Sequence, residues 1–199
     1  MRLWRIFQGV VSRILDGFNV SLPELSLTSD NFALLNLPQQ QALDRVRLEA
    51  NFHQLQARVH PDRHLKASDA DRRLAMQWAS RVNEAFKTLR DPLSRANYLL
   101  KLKGYDTDLE NNTAMSVEFL MAQMEHREAV AAARENSDGL ALEKLRQTLG
   151  SEMTLAHMNL VTLIDRQEDY SAASVLVRQL MFQQKLISEI DDALEAVVE

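Results

Sequence analysis

The sequence predicts an all-α protein in which a helical hairpin is followed by an antiparallel three-helix bundle. Only 5 Gly and 4 Pro stand among 199 residues, and the abundant Leu, Ala, Glu, Gln and Arg are strong helix formers. Apolar residues also recur three and four positions apart over long stretches, the period of a helix with one buried face. The length allows one domain or two modest ones.

Residues 1–29 read as an amphipathic tail and linker. Leu3, Ile6, Phe7, Val10, Ile14 and Leu15 fall on one face, with Arg2, Arg5, Arg13 and Asp16 opposite. No run approaches the roughly 20 apolar residues of a bilayer crossing, so no stable membrane insertion is expected. Arg5 and Arg13 interrupt the apolar block that a secretory signal needs. An organelle presequence, a membrane-surface helix, a helix docked on the fold and a mis-assigned start codon all fit the tail, and no function is assigned to it.

The first domain is expected over residues 30–103. Asp30 or Asn31 caps a short apolar turn of Phe32, Leu34 and Leu35 that stops before Pro38. A long helix follows up to Val59, with Leu43, Val46, Ala50, Leu55 and Val59 as its buried face and Arg47, Gln54 and Arg58 on the solvated one. Pro61 ends it. Proline fixes its own φ and pushes His60 to an extended conformation, so His60 and Asp62 are presented from a stiff turn. The chain turns helical again with Ser68 or Asp69 as cap, and Leu74, Trp78, Val82, Phe86 and Leu89 form its buried stripe.

A linker over 104–115 leads to a second domain over 116–199 with three helical segments. In the first, Phe119, Ala122, His126, Val130 and Ala133 share one face, while Leu120, Met121, Met124 and Glu128 lie on the opposite one; two apolar faces need two burials. The second carries Leu142, Leu145, Leu149, Met153, Ala156, Leu160 and Leu163 as a core stripe. The third groups Leu176, Leu180, Ile187 and Leu194, with Val175 and Phe182 well round from them. Three antiparallel helices around one core follow. The leftover Leu120, Met121, Met124 and Phe182 are either covered by another part of the fold or exposed as a binding surface.

Charge divides the chain more sharply than its net −5 suggests. Residues 41–103 hold 13 Lys/Arg against 7 Asp/Glu, whereas residues 104–199 hold 7 against 18. Different partners are expected for the two halves. No Gly-rich phosphate loop or series of stacking aromatics accompanies the basic half, which argues against nucleic acid. With 0 Cys, neither a disulfide nor a thiolate metal site can form, which suits a reducing cytoplasm.

The stretch QARVHPDRHLK, with His53 just before it, invites a metal or acid/base site. Zinc needs three or four converging ligands, yet Pro61 destroys the helical face that His60 and His64 would share. No nucleophile motif or carboxylate dyad accompanies His60. Neither a metal site, a cofactor nor an enzyme is expected, and a small metal-dependent hydrolase is the reading this argues against. A rigid, charged corner flanked by a basic helix face is instead a docking surface for an acidic partner.

Two stretches in register, FHQLQARVHPDRH and RVNEAFKTLRDPLSRANYLL, resemble the J-domain of DnaJ-type co-chaperones. The second keeps its spacing across Asn83, Glu84, Ala85, Phe86, Leu89, Asp91, Pro92, Arg95, Ala96 and Tyr98. Without a Gly/Phe-rich linker the chain runs into YLLKLKGYD and an acidic helical segment containing EFLMAQMEHREAV and VRQLMFQQKL. That arrangement, over about residues 30 to 198, is similar to the HscB family of bacterial iron–sulfur cluster assembly. The resemblance implies an L-shaped molecule. It implies that His60, Pro61, Asp62 and Arg63, helped by Arg58 and Arg47, engage a DnaK-class ATPase of the HscA type. It further implies that Leu120, Met121, Met124, Glu125, Glu128 and Phe182 hold the scaffold protein IscU. A J-protein for another DnaK-class chaperone and an unrelated client is the alternative. Mitochondrial members carry paired cysteines, absent here, so the bacterial, cytoplasmic form is implied. The chain departs from many J-domains in having Val59 for an aromatic residue and Arg63 for lysine, and a guanidinium is not an ammonium.

Overall fold

A computed structural model describes residues 26–59, 68–105, 107 and 115–198. Every regular element among them is helical: α1 (Asn31–Leu34), α2 (Arg45–Val59), α3 (Asp69–Arg90), α4 (Pro92–Leu102), α5 (Val117–Glu135), α6 (Gly139–Val161), a π-helical turn (Thr162–Arg166) and α7 (Tyr170–Val198). Two compact units divide the chain, one comprising Met1–Gln39 and Leu43–Ser94, the other Gln40–Ala42 and Arg95–Glu199.

In the first unit α1 is a single capped turn. The Asp30 carboxylate accepts hydrogen bonds from the Phe32 and Ala33 amides, both 2.9 Å long, which satisfies donors that no helical carbonyl can reach. Asn36 then adopts φ 51°, a left-handed conformation asparagine tolerates, and ends the turn. The Asn51 side chain donates to the carbonyl of Leu35 at 2.7 Å and so fixes α2 against this exit.

The core faces of α2 and α3 meet around a stacked pair, Phe52 and Phe86, with ring centroids 3.9 Å apart. On α3 the buried residues are Ala75, Trp78, Val82, Ala85 and Leu89, with Leu74 and Phe86 half-buried beside them. On α2 they are Leu48, Phe52, Leu55 and Val59, which corrects the expected stripe. Val46 is 78% exposed, Ala50 is exposed, and Leu43 precedes the helix. The cause is where the helix begins. Asp44 caps it through the amides of Val46 (2.9 Å) and Arg47 (3.2 Å), and a helix entered there turns Leu48 and Phe52 inward.

Arg81 holds the segment before α1 onto α3. Its guanidinium donates to the Leu27 carbonyl (3.2 Å), the Asn31 side-chain oxygen (2.6 Å) and the Ser29 carbonyl (2.8 Å). Its three acceptors lie in a fork that a lysine cannot match. Arg81→Ala is expected to lower stability by about 2–3 kcal/mol, because hydrogen bonds from a charged donor are lost together and acceptors are left unpaired. Arg81→Lys should recover little of that, and urea denaturation of both variants measures the difference.

Asp91 and Pro92 separate α3 from α4, a break that the apolar period does not reveal. The Asp91 carboxylate accepts from the Ser94 amide at 2.7 Å, and proline suits a first helical position because its missing N–H needs no partner.

In the second unit α5, α6 and α7 form a three-helix bundle. Val130 and Ala133 of α5, Leu142 and Leu149 of α6, and Leu186, Ile190 and Ala193 of α7 make one core cluster. Leu142, Leu149 and Leu160 of the expected α6 stripe are buried, with Leu145, Met153, Ala156 and Leu163 half-buried. On α7 only Leu180 of the expected stripe is fully buried. Val177, Leu180, Leu186, Ile190 and Ala193 are buried, whereas Leu176, Ile187 and Leu194 are half-buried on the flank. Ser116 and Asp138 cap α5 and α6 by accepting from Phe119 (3.2 Å) and Ala141 (3.0 Å).

The wider π turn carries Asp165 out toward the 40–42 segment. Its two carboxylate oxygens accept from the amides of Gln41 (2.7 Å) and Ala42 (2.8 Å), while Arg95 donates to the Gln41 carbonyl at 3.0 Å. Three residues of irregular chain are thus gripped from both sides by charged groups. Such π turns recur where a side chain must be aimed.

Candidate functional site

Two surfaces were expected, and the structure bears on them unequally. His60, Pro61, Asp62 and Arg63 lie outside the described residues. The helix leading to them ends on Val59, which is fully buried, so the chain enters the loop from a fixed point in the core. Arg58 is half-buried in the last turn of α2, where a cation complements the helix dipole. Arg47 is exposed and its Nη2 donates to the Asn36 carbonyl at 3.4 Å. Three turns separate Arg47 from Arg58, about 16 Å along the axis. They share a helix face but not a neighbourhood.

The other surface is described in full. Leu120, Met121 and Met124 are 45%, 58% and 62% exposed, so the second apolar face of α5 stays uncovered within its unit. Ser116 starts the helix, the inner face spends Val130 and Ala133 on the core, and the outer face is left with the long apolar side chains. Val117, 66% exposed, extends this stripe by one turn. Sequence reasoning passed over it, although it lies four residues before Met121 on the same face. Phe182 of α7 meets α5 elsewhere: its ring lies edge to face with that of Phe119, centroids 6.3 Å apart, on the face of α5 that carries Val130 and Ala133. It is half-buried rather than open, so the structure does not bring it together with the exposed stripe.

Acidic residues border the apolar ones. Glu125 and Glu128 are exposed one turn beyond Met121 and Met124. Glu118 is exposed too, and its carboxyl is held below the usual range by hydrogen bonds, first with its own backbone amide and then with the Ser116 hydroxyl. It therefore keeps its charge further into the acid range than a free glutamate. An apolar centre with a charged rim is the anatomy of a protein interface, and methionines adapt to a partner's shape.

No group of three or more His, Asp or Glu able to hold a metal ion occurs among the described residues. His53 is exposed beside Phe52, while His126 and His157 are half-buried in the bundle.

Residues 115–191 match the family model described as the HSCB C-terminal oligomerisation domain. Over 173 residues the chain is 49% identical to the co-chaperone protein HscB homolog of Aromatoleum aromaticum, covering 87% of this chain and 98% of that relative. The chain belongs to the HscB family. Solved HscB structures share its fold. Chaperone HscB from Vibrio cholerae superimposes with a TM-score of 0.74 at 34% identity, covering 85% of this chain and 99% of that one. The crystal structure of human co-chaperone protein HscB gives 0.78 at 26% identity, covering 84% and 83%. Membership makes this chain a J-type co-chaperone of iron–sulfur cluster assembly, and places the Leu120–Met124 stripe within the segment matched by the family model.

Proposed function

We propose that this HscB-family chain stimulates ATP hydrolysis by an HscA-type, DnaK-class chaperone and delivers the scaffold protein IscU to it, in the bacterial cytoplasm. The observation that carries the reading is the uncovered Leu120, Met121 and Met124 stripe with its Glu125 and Glu128 rim, on a helix whose opposite face is already committed to a core. Contiguous apolar side chains exposed at this level mark a contact surface. IscU is the occupant of the stripe in this reading, with Phe182 at its margin.

His60, Pro61, Asp62 and Arg63, with Arg58 and Arg47, form the chaperone-facing set in the first helical domain over 30–103. A ligand shifts an ATPase only through differential contacts with its two states. The His60–Arg63 segment therefore acts by fitting the ATP-bound form better than the ADP-bound one. The bundle over 116–199 carries the scaffold meanwhile. Holding scaffold and stimulus in one molecule raises the effective concentration of scaffold at the chaperone. No helix among the described residues is long and apolar enough to cross a membrane.

Titrating the purified chain against HscA-type and other DnaK-class ATPases, with and without IscU, tests this. Stimulation of the HscA-type enzyme, enhanced by IscU, is expected. Stronger stimulation of a different DnaK-class enzyme, indifferent to IscU, would replace the reading with that of a J-protein for another client.

A further inference from the structure

At the end of α2 and α3 remote from the His60 loop, Arg45, Lys87 and Arg90 surround an open cavity of about 390 Å³ whose remaining lining is Phe86, Asp91 and Pro92. Arg90 lies over the Phe86 ring, 5.8 Å from its centroid. The ring is held from behind by its stack on Phe52. None of the three cations has an ion pair among the described residues, since the pairs formed there are those of Arg72, Arg127 and Arg146. The nearest acids in sequence are otherwise engaged: Asp91 accepts from the Ser94 amide and Asp44 from the amides that open α2.

Lys87 and Arg90 have a local reason to be where they are, because cations in the last turn of a helix complement its dipole. Arg45 has the opposite. It is the first residue of α2, at the positive end of that helix, where a cation is disfavoured. Convergence on one cavity with the other two gives it a purpose that helix chemistry does not.

We propose that this cavity is an anion-binding site that takes a carboxylate side chain of an acidic peptide segment on a partner protein. Three cations with no ion pair among the described residues supply charge-assisted donors, and Phe86 and Pro92 supply an apolar wall for the peptide's neighbouring side chains. An extended polyanion fits badly. Glu49 and Glu84, one helical turn from Arg45 and Lys87, are exposed on either side, so a nucleic-acid backbone or an anionic bilayer would meet carboxylates as soon as it left the cavity. Arg45 stands about 20 Å along α2 from Arg58, and it faces away from Arg47, two residues on. The site therefore binds independently of the loop proposed to engage the ATPase.

The test is amide-resolved NMR titration of the full chain with a hexaglutamate peptide, a single-stranded oligonucleotide and phosphatidylglycerol vesicles. Saturable shifts confined to Arg45 and the Phe86–Asp91 turn are expected with the peptide. Affinity should fall about tenfold or more in R45A/K87A/R90A, with an unchanged circular dichroism spectrum. R45E/K87E should instead accept hexalysine, which keeps the test decisive if the triple variant folds poorly. Equal peptide affinity in the triple variant, shifts centred elsewhere, or tighter binding of the oligonucleotide or the vesicles would overturn the assignment.

Discussion

His60→Gln is expected to reduce stimulation of an HscA-type ATPase to the basal rate while leaving the helical circular dichroism signal unchanged. The structural half of that expectation rests on Val59. The buried face of α2 ends at Val59, with Leu48, Phe52 and Leu55 behind it, so a change one position later alters none of that helix's buried residues. The functional half rests on Pro61, which restricts both its own φ and the conformation of His60. A stiff turn loses little entropy on docking, so each contact it makes contributes nearly its full value. Loss of one anchor of such a turn weakens docking by about 2 kcal/mol or more, roughly thirtyfold in affinity. Asp62→Asn should act in the same direction by removing the charge. Retained stimulation in either variant would show that the turn is not the handle.

Leu120→Glu and Met124→Glu are each expected to weaken IscU binding at least about tenfold, without altering basal ATPase stimulation. Burying an unpaired carboxylate at the centre of an interface is strongly unfavourable. Both positions are exposed and neither belongs to the core cluster of the bundle, so stability should stay within about 0.5 kcal/mol of the parent. Phe182 does not offer so clean a test. Its edge-to-face contact with Phe119 means that Phe182→Glu perturbs the bundle as well as the surface, and a loss of binding there would be ambiguous. Val117→Glu extends the experiment to a residue not foreseen from sequence. Calorimetric titration with IscU separates these variants, and unchanged affinity in both Leu120→Glu and Met124→Glu would remove the stripe from the interface.

What the sequence revealed follows a physical division. Local signals were legible: Asp30 and Ser68 as caps, the α6 stripe through Leu142, Leu149 and Leu160, and the second apolar face of α5 all depend on residues within a few positions of one another. The α2 stripe was misjudged because its period was counted from Leu43, before the helix begins. Counting from the Asp44 cap brings Leu48 and Phe52 inward. On α7 nearly every turn carries several apolar residues, and which of them face α6 is decided by packing rather than by period.

Non-local contacts left no trace in the pattern. Arg81 binds two backbone carbonyls and one asparagine some 50 residues away, and carbonyls have no sequence signature. The π turn that aims Asp165 at Gln41 and Ala42 is a single widened turn continuous with α6, too short for its change of period to show in the sequence. The cavity formed by Arg45, Lys87 and Arg90 likewise exists only once α2 and α3 lie side by side.

The central claim is that stimulus and scaffold must be carried by the same molecule. Mixing H60Q with L120E tests it most directly, because each variant keeps the surface that the other has lost. Single-turnover ATP hydrolysis by the HscA-type chaperone, measured with IscU present, should show the IscU-dependent enhancement for the parent chain and not for the mixture at equal total concentration. Full enhancement from the mixture would contradict the account.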